Sequence, residues 1–138
     1  MNVSEAMHEG VEWRGPDTPL SELSRIMREL DIGAIPIGEA DSFVGIVTDR
    51  DIALRAFDRG KDPASLTARD VMSEGVVFCR TSEDLEDAIR LMEDLKLRRL
   101  PVLDEAKRVV GMLSLGDAVH AVNQSMAGEL VRAVTGNH

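Results

Sequence analysis

Several absences narrow the reading before any pattern does. Cys79 is the only cysteine in 138 residues. One thiol excludes an internal disulfide and a four-cysteine zinc site, and it suits a reducing, cytoplasmic compartment. No apolar run reaches the roughly eighteen residues that a membrane-spanning helix needs. The opening MNVSEAMHEG lacks the basic head and apolar stretch of a secretory signal. Positive charge is scarce: 16 Lys and Arg stand against 25 Asp and Glu, a net charge of −9. Nucleic-acid affinity comes mostly from clustered cations on phosphates, so neither DNA nor RNA is expected as a partner. Any phosphorylated ligand would have to be held by local positive charge. There is no phosphate-binding P-loop, no G-x-G-x-x-G and no nucleophile elbow. With no base or nucleophile constellation either, no catalytic residue and no enzymatic activity are expected.

What is present is an ordinary soluble composition, 43% apolar and 30% charged, and an internal repeat. With the chain shifted by 65 residues, Met7 falls on Met72 and Glu9-Gly10-Val11 on Glu74-Gly75-Val76. Leu20, Arg25, Met27, Leu30 and Pro36 fall on Leu85, Arg90, Met92, Leu95 and Pro101. One extra loop residue moves the shift to 66. Val44-Gly45 then meets Val110-Gly111, Thr48 meets Ser114 and Asp51 meets Asp117. Collinear identity of this kind is the signature of a duplicated structural unit.

Each copy reads as β-α-β-β-α. Short extended pieces are expected at Val11–Trp13 and Val76–Phe78. A helix follows, capped by Thr18 with Pro19 in its first turn, or by Thr81 or Ser82 in the second copy. Its apolar stripe is Leu20, Leu23, Met27 and Leu30, or Leu85, Ala88, Ile89, Met92 and Leu95. Ala34–Ile37 and Leu100–Leu103 are strand-like. Each carries a proline, which places them at sheet edges or strand starts. Polar turns at 38–42 and 104–108 lead to apolar strands Phe43–Val47 and Val109–Leu113, each followed by a second helix. The last helix is expected to run on through Val122, Met126, Leu130 and Val134. Residues 1–58 form the first repeat, 59–67 a linker broken by Gly60 and Pro63, 68–122 the second repeat and 123–138 a helical extension. A three-stranded sheet with helices on one side buries its other face poorly, which is why two copies in one chain make sense.

One motif can carry chemistry: a hydroxyl residue closing an apolar strand, with an acid three residues on. It is Thr48-Asp49-Arg50-Asp51 in the first copy and Ser114-Leu115-Gly116-Asp117 in the second. A helix N-terminus attracts anions. The hydroxyl can donate to a phosphate, and the carboxylate can accept from both hydroxyls of a ribose. The same spacing is also a helix capping box, and both readings stand at this point.

The pattern Ile35-Pro36-Ile37, a turn, then Val44-Gly45-Ile46-Val47-Thr48-x-x-Asp51-Ile52 returns as Leu100-Pro101-Val102 and Val109-Val110-Gly111-Met112-Leu113-Ser114-x-x-Asp117-Ala118. It resembles a tandem pair of cystathionine-β-synthase (CBS) domains, a Bateman module, from about Val3 to Val122. The resemblance implies an α+β fold of two repeats with pseudo-twofold symmetry and two clefts between them. It implies a regulatory role, with AMP, ADP, ATP, S-adenosylmethionine or NAD(H) as ligand, no cofactor required, and a homodimer. By resemblance Asp51 and Asp117 take ribose, and Thr48 and Ser114 take phosphate. The backbone around Ile35–Ile37 and Leu100–Val102 takes adenine. Arg50, Arg98 and Arg99 are the expected phosphate anchors, because a guanidinium fork matches phosphate oxygens. The copies differ here: Arg98-Arg99 precedes the second proline where Gly33-Ala34 precedes the first. A regulated target is expected to be a separate protein. The alternative is a ligand-free dimerisation or scaffold module in which both motifs are only caps.

His8, His120 and His138 show no metal spacing and no acid partner in the sequence. Cys79 is expected to be a buried apolar thiol rather than a reactive one. Trp13 could stack on a base, though packing between the repeats is the expected role.

Overall fold

The computed structural model describes residues 1–40, 42–74 and 77–135; the side chains of Arg59 and Thr135 are also outside the description. The expected strand residue Val76 and the terminal His138 therefore lie outside the described residues. Element order is β1 (His8–Glu9), α1 (Leu20–Leu30), β2 (Ala34–Glu39), β3 (Ser42–Thr48), α2 (Asp49–Arg55), α3 (Ala68–Val71), β4 (Cys79–Arg80), α4 (Leu85–Leu95), β5 (Arg99–Leu103), β6 (Val109–Ser114) and α5 (Leu115–Thr135).

The chain forms two compact units that are not continuous in sequence. One holds residues 10–77 with 106–109; the other holds 1–9, 78–105 and 110–138. Each unit thus contains the body of one repeat and a short leading segment from the other. In the first unit β2 and β3 pair antiparallel. Ser73 bridges to Ile46 on one side, and Arg14 bridges parallel to Ile37 on the other. In the second unit the sheet order is β1-β6-β5-β4, with β1 antiparallel to β6 and β4 parallel to β5. The two arrangements correspond position by position: Ser73 stands where His8 stands, and Arg14 where Cys79 stands.

Where they are described, at Val11–Trp13 and at Val77 and Phe78, the expected first strands are displaced. Pairing occurs at Arg14 and at Cys79–Arg80 instead. Gly15 and Pro16 follow Arg14 at once, and a proline has no N–H to continue a ladder, so one bridge is all that forms.

The prolines do not force an edge position. β5 lies between β6 and β4. Its ladder with β4 begins at Val102, one residue after Pro101. In the first unit the Arg14 bridge uses the Pro36 carbonyl (3.2 Å) and the Gly38 amide (3.0 Å). Pro36 sits opposite Ile46, whose N–H and C=O are both turned to Ser73 (3.2 and 2.9 Å). No donor is asked of Pro36 on either side.

α1 and α4 start one to three residues later than the hydroxyl cap residues suggest. Pro19 and Asp84 occupy the N-cap positions without a side-chain cap bond. The Leu20 amide is satisfied instead by the Leu66 carbonyl at 3.0 Å, and the Leu85 amide by the Met1 carbonyl at 3.0 Å. Tertiary partners replace the caps. Both helices end on a non-glycine residue in the left-handed region, Asp31 (φ 53°) and Lys96 (φ 57°). The next amide closes each turn onto Met27 O (3.0 Å) or Met92 O (2.8 Å).

The apolar stripes face the cores, with one shift. Leu20, Leu23, Ile26 and Met27 are buried, while Leu30 is 51% exposed. The same holds for Leu85, Ala88 and Met92 against exposed Leu95. In the first unit these side chains pack with Ile35, Ile37, Val47, Leu66 and Val71. Leu66 makes the segment after residue 58 more than a spacer. α5 does run on to Thr135, and beyond Val122 its apolar residues Met126, Leu130 and Val134 are exposed. Among the described residues, no helix is long and apolar enough to cross a membrane.

Candidate functional site

The two strand-to-helix junctions hold the residues singled out above. In the first unit β3 ends at Thr48 and α2 starts at Asp49. Thr48 Oγ1 accepts from the Asp51 N–H at 3.1 Å, and Asp51 Oδ2 accepts from the Thr48 N–H at 2.9 Å. This is a complete capping box, so the capping reading is realised here. It does not use up the chemistry. A hydroxyl that accepts keeps its own proton to donate, and a carboxylate has about four acceptor directions. Asp51 Oδ1 also accepts from Ser73 Oγ at 3.2 Å, and Arg55 stands 4.0 Å from the same oxygen. Arg55 is fixed by donating to the Val71 and Met72 carbonyls, both at 3.0 Å. The Asp51 carboxylate is thus held from three sides and only 13% exposed.

In the second unit Ser114 ends β6 and caps α5 by accepting from the Asp117 N–H at 3.0 Å. The Leu115 amide is bound by the Arg98 carbonyl at 2.7 Å, which ties the junction to the residue before β5. The Asp117 carboxylate meets His8 Nε2 at 2.7 Å. His8 therefore has the acid partner that the sequence did not reveal. Sequence reasoning also passed over Ser73 and Arg55. His8 and Ser73 reach their carboxylates across long stretches of chain, and no local spacing points to them; Arg55 stands at i+4 from Asp51 on α2, a spacing that could have found it.

A glycine at the centre of β3 and of β6 makes room for the segments that bring Ser73 and His8 across. A Cβ on Gly45 would lie 2.7 Å from the Ser73 carbonyl oxygen and 3.1 Å from Met72 Sδ. A Cβ on Gly111 would lie 2.7 Å from both the His8 carbonyl oxygen and Met7 Sδ. Only a residue without a side chain lets the neighbouring segment cross so close.

The arginines are placed less tightly. Arg50 and Arg98 are exposed and Arg99 is half-buried. Arg50 lies in the first turn of α2, beside Thr48; Arg98 directly precedes β5 and Arg99 begins it. The side chains of Ile35, Ile37, Leu100 and Val102 are fully buried in their own units. What they can present to a ligand is backbone. Trp13 is 47% exposed and lies over Gly38, 3.5 Å from where its Cβ would be.

Cys79 is fully buried, and its thiol is aimed at the Pro101 carbonyl at 3.8 Å. Burial, with Glu83 adding to it, pushes the thiol up to about 12, so it stays protonated and unreactive near neutrality. A cavity of about 230 Å³ in the first unit is lined by Arg55, Asp58, Lys61, Leu66 and Asp70. It is of mixed charge and does not include Thr48 or Asp51. Among the described residues, no group of three or more His, Cys, Asp and Glu could hold a metal ion.

A third hydroxyl–x–x–acid run, overlooked in the sequence, serves as an internal control. Thr67 and Asp70 form a capping box at α3, with the Thr67 N–H bound by Asp70 Oδ2 at 2.8 Å. α3 spans only Ala68–Val71, and no glycine-centred strand precedes it. The spacing can therefore serve as a cap alone, and at Thr81–Asp84 it recurs without making one, since Asp84 itself is the N-cap residue there. What distinguishes Thr48–Asp51 and Ser114–Asp117 is the strand in front and the segment crossing it.

The family model described as "CBS domain" matches residues 3–57 and 68–124. The CBS domain-containing protein YhcV of Bacillus subtilis is 34% identical over 135 residues, covering 97% of this chain and 95% of its own. Among solved structures, CBSX2 of Arabidopsis thaliana in complex with AMP superposes with a TM-score of 0.79 at 26% identity, covering 91% of this chain and 98% of that one. Hypoxic Response Protein I with two coordinated zinc ions gives 0.77 at 31%, covering 87% and 98%. Two matched copies, the shared strand-to-helix junctions and near full-length relatives agree: the chain belongs to the CBS-domain family and carries the domain twice.

Proposed function

We propose that this CBS pair is a non-catalytic regulatory module that binds an adenosine-containing nucleotide of the AMP, ADP or ATP type. The observation that carries the reading is the pairing, at each junction, of a hydroxyl with a proton left to donate and a carboxylate one turn on. Thr48 with Asp51 and Ser114 with Asp117 supply it in the two units. The AMP complex of CBSX2 supports the choice of ligand class. In this reading Asp51 and Asp117 accept from ribose hydroxyls, and Thr48, Ser114, Arg50, Arg98 and Arg99 meet phosphate. The backbone at Ile35–Ile37 and Leu100–Val102 reads adenine. The chain works as a cytoplasmic homodimer that relays nucleotide state to a separate protein through differential affinity for two arrangements.

A second reading rests on one observation: both hydroxyls already accept a helix-capping bond. In it the chain is a ligand-free dimerisation or scaffold module. A thermal-shift series with AMP, ADP, ATP, S-adenosylmethionine and NAD(H) separates the two. A ligand at about a hundred times its Kd adds about 2.7 kcal/mol, which raises the midpoint by roughly 5–10 °C. A shift with an adenosine compound, diminished by Asp51→Asn or Asp117→Asn, supports the sensor. A flat response to all five at millimolar concentration favours the scaffold.

A further inference from the structure

The two junctions are built alike except for what the crossing segment delivers to the carboxylate. Ser73 and His8 occupy matched positions in the repeats. Ser73 brings a neutral hydroxyl to Asp51 Oδ1 at 3.2 Å. His8 brings an imidazole to Asp117 Oδ2 at 2.7 Å. The surroundings differ as well. The Asp51 side chain is 13% exposed and engaged at both oxygens, whereas those of Asp117 and His8 are 46% and 75% exposed. Asp51 is a fixed acceptor. Asp117 is an open one, with an exposed imidazole on one oxygen.

Asp117 is the charged group set against His8. On β6, the residues opposite β1 are Met112 and Gly111, which carry no charge. Glu9 follows on β1 and alternates to its other face. Glu5, in the preceding turn, is committed to the Asn2 N–H at 2.7 Å. Among the described residues, neither Arg98 nor Arg99 of the adjoining strand, nor His120 one turn along α5, forms an ion pair with His8 or Asp117.

A ribose diol binds a carboxylate by donating to both oxygens, and at Asp117 one oxygen holds His8. We propose that His8 is a specificity-determining residue of the Asp117 junction: it competes with the nucleoside hydroxyls for the carboxylate, so that binding there tightens when the imidazole is taken away. The Asp51 junction, with serine in the same place, has no imidazole to displace. The inference rests on the nucleotide-binding reading above, and the two fail differently.

The test is calorimetric titration of the full chain with AMP. Asp51→Asn silences the other junction and isolates Asp117. With His8→Ser added, AMP affinity at one fixed pH is expected to rise roughly three- to tenfold, about the worth of one hydrogen bond to the carboxylate. The gain should shrink for 2′-deoxy-AMP, which lacks one of the competing hydroxyls. His8→Gln, which keeps a donor, should give a smaller gain than His8→Ser. An affinity unchanged by His8→Ser overturns the proposal. So does weaker binding, which would mean that His8 meets phosphate. If Asp51→Asn abolishes all AMP binding while the unsubstituted chain binds, the His8 proposal falls and the sensor reading stands. If the unsubstituted chain binds no adenine nucleotide, both fall.

Discussion

Gly45 and Ser73 are in backbone contact: the Ser73 carbonyl oxygen lies where a Cβ on Gly45 would come within 2.7 Å. The same approach recurs between Gly111 and His8. Gly45→Ala and Gly111→Ala are each expected to push the crossing segment off its strand, at a cost of about 1–3 kcal/mol. Thermal unfolding of both variants checks this. A midpoint unchanged in either would mean that the segment yields freely.

The two candidate carboxylates should separate in their structural cost. Asp51 closes a capping box and holds Ser73, so Asp51→Ala is expected to lose about 1–2 kcal/mol. Asp117 makes an exposed pair with His8, so Asp117→Ala should lose under about 1 kcal/mol. Urea unfolding of the pair measures the difference. Asn at Asp51 keeps an acceptor for the Thr48 amide, which makes it the right variant for ligand tests. Equal losses for the two alanine variants would refute the asymmetry described above.

Much of this was readable in the sequence, and the exceptions share a cause. The duplication, the amphipathic helices and the long last helix follow from patterns spanning a few residues. So do the strand–glycine–strand–hydroxyl runs. The helix starts at Leu20 and Leu85 did not follow. Their first amides are satisfied by Leu66 and Met1, and no local cap residue reports that. His8 and Asp117 stand near opposite ends of the sequence, and only the pairing of β1 with β6 joins them. The edge placement failed for β5, which lies between β6 and β4, while β2 ends its two-stranded sheet with only an isolated bridge from Arg14 on its outer side. Whether a missing N–H matters depends on which partner turns its bonds away, as Ile46 does for Pro36.

Helix ends offer a direct gain in stability. Asp31 and Lys96 adopt left-handed backbone (φ 53° and 57°) at the ends of α1 and α4. A residue with a Cβ is disfavoured there by about 1 kcal/mol. Asp31→Gly and Lys96→Gly should each raise stability by roughly 0.5–1 kcal/mol, and the double variant by about the sum. Denaturant midpoints at constant m-value check it. A loss in either would show that the side chain holds something the backbone argument omits.

Cys79 sets an alkaline limit. Its thiol is at about 12 in the folded chain against 9.0 for a free one. The unfolded chain therefore releases this proton first. The contribution of the buried thiol is complete below about pH 9 and is lost as pH climbs towards 12, by up to roughly 1.4 kcal/mol per pH unit. Between about pH 8 and pH 10, the native protein should lose more stability than Cys79→Ala does. Iodoacetamide should leave the native thiol unmodified at neutral pH and label it promptly in urea. Rapid labelling without denaturant would contradict the burial.

The division of the chain into units that borrow each other's leading segments has a consequence for cutting it. Severing the backbone between residues 58 and 68 would seem to release two self-sufficient halves, since both family matches stay whole. It would not. The front half would carry away Val3, whose fully buried side chain belongs with residues 78–105. The back half would carry away Ala68, Val71 and Met72, which complete the other core. Each fragment would keep a plug that fits the other's socket. Two separately expressed fragments are therefore expected to be poor folders alone and to restore one another when mixed, as the strands of a split reporter do.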